Sequence, residues 1–518
     1  MKAYPTLKQC AVLLVVAFVA ILVHGYHPGV EDAEIYLPGI KKTLDPSLYP
    51  QNSVFFMSHA RMTLFPNLIA LAVRVTHLPL AWVIFLCHWL SIFLLLLGCW
   101  HLGQLMWARD IGLHDNTDKS GRGTLPTWGG VLLIASLLTI PVAGTALYIM
   151  DEYVTTRSFS TPAVVFIIVN AIQRRYARAL LWAVFTAFIH PLMVVFGLGF
   201  AAVFAWTNRR PAEHLQHASV AAALLPLGLF RPVSGAYREV LNSRPYFFLL
   251  RWHWYEWVGI FAPLMLLAYY GRLAKKRDHL ILQRLCFALI VYQLVFFAAA
   301  LVITIPAGLA QYAELQPMRS LHLLYIFFFA ITGGLLAESV LRHHLWRWAA
   351  VFAPLAFGMG FAQRQLFPAT PHIEWAGAEP RNAWVKAFVW VKQNTPKDAY
   401  FAIDPEYMAL PGEDQHGFRA IAERSRLADE VKDSGAVTMF PALANEWRDQ
   451  VQAQRGWRNF QTADFARLQR SFGVTWVVLQ EDQNAGLNCP YKSQEVAVCR
   501  LDSGAGAKVA IAPQMRSD

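Results

Sequence analysis

The stretch Cys10-Ala-Val-Leu-Leu-Val-Val-Ala-Phe-Val-Ala-Ile-Leu-Val-His-Gly-Tyr-His-Pro-Gly-Val-Glu-Asp32 runs from wholly apolar sequence directly into two adjacent acids, Glu31 and Asp32, with Glu34 close behind. An apolar run preceded only by a short basic flank, Lys2 and Lys8, reads as a membrane segment. No small-residue cleavage site follows and many further apolar runs do, so the segment is predicted to be a retained anchor rather than a signal peptide. Acids placed where a chain leaves hydrocarbon usually pair, bind a cation or handle protons. Glu31 and Asp32 are therefore the first candidates for chemistry.

The rest of the composition supports a membrane protein. Of 518 residues, 56% are hydrophobic and only 15% charged, which argues against an ordinary soluble chain. Apolar runs of about 20 residues, the length that crosses a bilayer, recur to about residue 361 and then stop. The net charge of +11 sits mainly between these runs, a pattern that fits cytoplasmic turns rather than a nucleic-acid-binding face. The segments divide into a transmembrane domain, residues 1–361, and a C-terminal domain of soluble composition, residues 362–518.

Basic clusters assign the cytoplasmic side at Arg174, Arg175 and Arg178, at Arg209 and Arg210, at residues 272–284 and at residues 342–347. A weaker cluster at residues 109–122, diluted by Asp110, Asp115 and Asp118, is placed there too because residues 82–106 and 128–149 then form two clean spans. Residues 63–77 carry Arg61 and Arg74 at or near their ends and Pro66 within, and are predicted to lie on the outer surface as an amphipathic helix; a true span is the alternative. Residues 179–206 are broken by His190-Pro191, because proline removes a helical donor, so a pair of half-helices with His190 at the tip is predicted. The result is a polytopic α-helical protein with about eleven crossings, its N-terminus inside, its C-terminus outside and a large first outer loop at about 25–80.

Four cysteines, Cys10, Cys87, Cys99 and Cys286, lie in apolar runs, where thiols act as small hydrophobes. Cys489 and Cys499 are close enough for a hairpin bridge if the tail is in an oxidising compartment. The tail opens with helical periodicity over residues 381–392, and residues 399–403, 474–479 and 495–499 read as strands. A small α/β or α+β domain follows, with no nucleotide loop or nucleophile elbow.

A second acidic pair, Asp151 and Glu152, stands at another outer exit. If the helices concerned are neighbours, the two acidic clusters meet, and Asp32, Asp151 and Glu152 would offer oxygen ligands to a divalent cation such as Mg or Mn or a general base; simple solvated loop acids are the plainer alternative. Ser160, Thr161 and Pro162 are predicted to cap the next helix, leaving Arg157 free for an anion. His190 either meets a substrate or satisfies a carbonyl freed by Pro191, and the second role is the more usual. Arg238 and Arg244 precede an aromatic stretch at residues 245–257 and Arg251 lies within it, and Arg319 opens a later span. Guanidinium forks suit a lipid phosphate, with interface snorkelling as the alternative.

The layout of an acid after the first span, a long outer loop, a second acid and an extracytoplasmic tail resembles the GT-C glycosyltransferases. Glu31-Asp-Ala-Glu-Ile-Tyr-Leu-Pro38, Leu44-Asp-Pro-Ser-Leu-Tyr-Pro50, Arg157-Ser-Phe-Ser-Thr-Pro162, His190-Pro191, Gln316-Pro-Met-Arg319 and Glu423-Arg-Ser425 are similar to a bacterial branch of GT-C-like membrane proteins. The resemblance implies transfer of a sugar from a polyprenyl-phosphate-linked donor to an envelope glycan, lipid or protein, outside the cytoplasmic (inner) membrane and with inversion. It implies that Asp32 is the base, with Glu31 beside it, that Asp151 or Glu152 is a second acid, and that a divalent cation is used by some members. Glu34, Arg157, His190, Arg244 and Arg319 would then contact substrate. The absence of a tryptophan-rich WWD motif argues against asparagine glycosylation. Partial desolvation is expected to tune Asp32 upward, towards the range of a general base. Two other classes compete: a lipid or small-molecule transporter or flippase, which predicts internal repeats and mid-bilayer charges, and a noncatalytic envelope scaffold.

Overall fold

The computed structural model describes residues 5–107, 124–208, 233, 235–481, 483 and 486–501. Its N-terminal part is helical: α1 (Leu7–His24), α2 (Ala33–Leu44), α3 (Val54–Arg61), α4 (Phe65–Thr76), α5 (Leu80–Met106), α6 (Thr124–Ala135), α7 (Thr156–Ile172), α8 (Tyr176–Ile189) and α9 (Pro191–Thr207). After α10 (Gly235–Asn242) come α11 (Trp254–Lys276), α12 (Leu280–Thr304), α13 (Ser320–Leu336) and α14 (Leu345–Leu366).

Among the described residues, six helical segments are long and apolar enough to cross a bilayer, or up to seven if the bent pair α3–α4 counts as one. These support a multi-pass membrane protein. Helices α6, α7, α8 and α9 are apolar but shorter, at 12–17 residues. The sequence-predicted clusters at residues 109–122 and 209–210 lie outside the described residues, as does any crossing within 209–232.

Three local predictions need correction. The apolar run at 128–149 is not one helix: α6 stops at Ala135, and residues 136–155 fold as an irregular buried segment with a Pro141–Tyr148 bridge. Apolar composition records burial, whereas Pro141 and the turn at residues 142–147 decide the backbone. The cap of α7 is Thr155, whose Oγ1 accepts the Arg157 N–H at 3.1 Å while Ser158 Oγ accepts the Thr155 N–H at 3.0 Å. Pro162 is therefore inside the helix, and Ser160 and Thr161 leave their hydroxyls unpartnered in the core. Finally, α14 continues to Leu366, past the residue 361 boundary.

Elsewhere local punctuation and structure agree. The helix α1 begins at a Thr6–Gln9 capping box and ends at Gly25, whose φ of +86° suits glycine. Residues 63–77 contain α4, only 12 residues long and set at 86° to α3. At ~1.5 Å per residue α4 spans about 18 Å, too short to cross alone. The α8–α9 pair breaks at His190-Pro191.

The C-terminal unit carries α15 (Ala383–Asn394), α16 (Phe418–Ala422), α17 (Asp433–Met439), α18 (Ala444–Gln454) and α19 (Thr462–Phe472) around one five-stranded sheet. Its strands are β1 (Tyr400–Ile403), β2 (Ser425–Arg426), β3 (Trp476–Gln480), β4 (Asn488–Lys492) and β5 (Val496–Arg500), in the order β2-β1-β3-β5-β4. The β1 pairings are parallel and those of β5 antiparallel. Cys489 and Cys499 are disulfide-bonded across β4 and β5.

The two parts are joined by buried polar contacts. Glu34 on α2 accepts from Arg426 Nε at 3.0 Å and from the Ala420 N–H at 3.0 Å. Arg426 also pairs with Asp429, while Arg419 grips Asp433 with two bonds of 2.8 and 2.7 Å. Nearby, the Tyr49 hydroxyl donates to the Arg419 carbonyl, and His27 and His416 both meet Glu374. Buried cations of this kind need partners on every side, so the segment at residues 26–52 and the C-terminal unit fold as one body at this end.

Candidate functional site

A cavity of about 710 Å³ lies under this joint, lined by residues from α2, α3, α7, the 141–153 segment, the α8–α9 break, the approach to α13 and the C-terminal unit. It brings together Glu31, Asp32, Asp151, Arg157, His190, Arg244 and Arg319, seven of the residues singled out from sequence. Lys432, His59, Tyr36 and Glu314 join them.

The centre is an ion-pair chain. Asp32 sits at the N-terminus of α2, its side chain 29% exposed. Arg157 Nη2 donates to Asp32 Oδ2 at 3.0 Å and to Asp151 Oδ2 at 2.8 Å, and its Nε reaches the same Asp151 oxygen at 3.2 Å. On the other side, Lys432 Nζ contacts Asp32 Oδ1 at 3.3 Å and bonds Glu31. Glu31 itself has φ +54°, an unusual backbone for a residue with a Cβ. The strain turns the chain so that two successive acids face one lysine.

These contacts overturn the expected tuning of Asp32. Burial alone would raise it, but Lys432 and Arg157 outweigh that and hold the carboxyl well below the usual carboxylate range. Asp151 is shifted the other way, raised by burial despite Arg157. Lys432 is raised because Glu31 and Asp32 outweigh its desolvation. Nor is Arg157 free, as the sequence suggests, since it is the cation that keeps two acids together.

Two predicted contact residues are elsewhere. Glu34 points away from the cavity into the fully buried pairs with Arg426 and Arg419, so its role is to hold the fold. Glu152 does not line the cavity; burial pushes it up to about 8, its Oε1 has no partner, and its carbonyl accepts the His27 N–H. The trio Asp32, Asp151 and Glu152 does not fit a divalent cation: among the described residues no group of three potential ligands has suitable geometry. Arg157 already occupies the space between Asp32 and Asp151.

No protein-family model and no curated protein matches this chain. The site's chemistry therefore has to be read from its own groups.

Those groups favour an anion. The Arg319 side chain makes no hydrogen bond or ion pair with any described residue, and its Nε is buried without a partner. Arg244 Nη2 is held by Ser434 Oγ at 2.6 Å and by the Val431 carbonyl, both neutral, leaving its charge uncompensated. The rim is apolar: Met62, Val195, Leu315 and Met439 line the cavity and are 39–53% exposed. His190 caps the α8–α9 break and also lines the cavity, so Pro191 positions its ring as well as interrupting the helix. Glu423-Arg-Ser425 is a joint: Glu423 takes Lys41 and Lys392, Arg424 binds the Lys392 and Thr395 carbonyls, and Ser425 Oγ accepts the Gln51 N–H.

Lys432 was not foreseen. It lies 400 residues from Asp32 in sequence, inside an ordinary mixed-charge stretch, and no local spacing marks it.

Proposed function

We propose that the chain is a GT-C-type membrane glycosyltransferase, moving a sugar from a polyprenyl-phosphate-linked donor to an envelope acceptor on the outer side of a bacterial cytoplasmic membrane. In this reading the shorter apolar helices contribute to about eleven crossings, and the C-terminal unit is extracytoplasmic. The observation that carries it is the combination, in one cavity, of Arg319 and Arg244 without acidic partners, the Asp32 carboxylate and a rim of exposed apolar side chains. Such a site matches an amphiphile with an anionic head beside a proton acceptor.

The chemistry follows from these groups. An acceptor hydroxyl attacks the anomeric carbon from the face opposite the phosphate, and the bond from that carbon to the phosphate oxygen breaks. The electron pair stays on the phosphate, where Arg244 and Arg319 stabilise the charge. The hydroxyl proton passes to Asp32, and configuration inverts. Arg157 keeps Asp32 oriented.

The test is Asp32→Asn in cells, with protein level monitored and envelope glycans compared against wild type and a deletion strain. Loss of the deletion-sensitive glycan at normal protein level is expected. Unchanged glycans, where deletion alters them, sink the reading.

A further inference from the structure

As the protein rests, Asp32 is badly placed to accept a proton. Its Oδ2 is bonded to Arg157 and its Oδ1 faces Lys432. One of these contacts has to yield before the carboxylate can act as a base, and the 3.3 Å contact to Lys432 is the longer.

Lys432 is built to exchange partners. Its backbone is fixed, because Asp429 Oδ1 accepts the Lys432 N–H at 2.7 Å and Asp429 is itself locked to buried Arg426. Its ammonium is not so constrained, being a compact charge with three donors on a flexible stem. Its two partners are among the more open acids of the cavity, Glu31 at 35% and Asp32 at 29% side-chain exposure. Val431 and Ser434, close to it in the chain, hold Arg244, so the two cations, one from each part of the protein, meet at one lip of the cavity. Arg319, unpartnered, lines the same cavity.

We infer that Lys432 is a phosphate ligand of the lipid-linked donor and that it reaches the phosphate by leaving Glu31 and Asp32, so that donor binding uncovers the base. The inference rests on the glycosyltransferase reading and adds a residue and an order of events to it. A phosphate diester lodged among Lys432, Arg244 and Arg319 carries one negative charge, like a carboxylate, and the sugar-free monoester carries nearly two, so either gives the ammonium an anionic oxygen, shared with two further cations, in place of the carboxylates it leaves. Asp32 then keeps Arg157 and recovers one open oxygen for the acceptor hydroxyl. The C-terminal unit thereby becomes part of the substrate site as well as a cover over it.

The experiment measures binding of a sugar-free short polyprenyl phosphate to the purified full-length protein, so no turnover is needed. Lys432→Gln is expected to weaken binding about tenfold or more, the usual worth of a charge-assisted hydrogen bond, while Lys432→Arg stays within a few-fold of wild type. Glu31→Gln, which removes a competing partner but keeps the lysine, is expected to bind about threefold more tightly. Thermal melts check that each variant folds, and Lys432→Met replaces the glutamine variant if that one does not. Wild-type affinity in the neutral Lys432 variants, or unchanged or weaker binding in Glu31→Gln, overturns the exchange while leaving the glycosyltransferase reading standing. Failure of the wild-type protein to bind polyprenyl phosphate overturns that reading itself. Inorganic phosphate serves as the second probe and is expected to bind more weakly with the same ranking of variants; equal affinity for it overturns the lipid half of the inference.

Discussion

Glu34 on α2 and Arg426 on β2 are both fully buried and meet at 3.0 Å, tying the segment after α1 to the sheet of the C-terminal unit. Lys432, which completes the cavity, stands six residues beyond Arg426 and is anchored through Asp429 to the same arginine. A contact made for stability therefore sets the position of a group in the site.

Glu34→Gln leaves two buried arginines short of a counter-charge. The expected cost is about 3–5 kcal/mol, the range for breaking one side of a buried pair. It should appear as a lower unfolding temperature and faster proteolysis between α14 and α15. Unchanged melting would show that Asp429 and Asp433 suffice to neutralise both arginines.

Gly417 packs against the same glutamate. A Cβ placed there would lie 2.5 Å from Glu34 Oε2 and 3.0 Å from its Cα. Gly417→Ala is expected to cost about 1–3 kcal/mol through overpacking, again read by thermal unfolding, and to weaken the same joint without changing any charge.

Arg157→Lys tests the bridge inside the cavity. A single ammonium cannot reproduce a guanidinium that contacts Asp151 through Nε and Nη2 and Asp32 through Nη2. On the proposed glycosyltransferase reading, sugar transfer is expected to fall on the order of 100-fold at near-normal protein level. A transferase assay with the purified variant decides it, and activity within a few-fold of wild type would remove Arg157 from the mechanism.

Much of this architecture follows from short-range signals. The end of α1, the His190-Pro191 break, the α15 periodicity and the strands β1, β3 and β5 are each written within about a dozen residues, where apolar spacing and punctuation act directly. The two-residue strand β2, Ser425–Arg426, has no such pattern, because its arginine is buried by distant acids rather than by its neighbours. For the same reason Glu34 and Asp32 look alike in sequence, although one meets Arg426 and the other Arg157 and Lys432. Net direction of the Asp32 shift was equally hidden, since it depends on a lysine from the far end of the chain.

Glu152 supplies a prediction in pH. Its carboxyl is buried and pushed up to about 8 from an ordinary value of 4.5, so between these values the folded protein binds a proton that the unfolded chain has released. Stability linked to this group must therefore fall as pH rises from about 4.5 to about 8, at up to roughly 1.4 kcal/mol per pH unit, and level off above. Glu152→Gln keeps the shape and removes the titration. Its melting temperature is expected to decline less than that of the wild type across this window, with the gap widening towards pH 8. Parallel pH profiles for the two proteins would mean that Glu152 is already ionised in the fold, its charge stabilised by hydrogen bonding such as that from the Gln363 side chain.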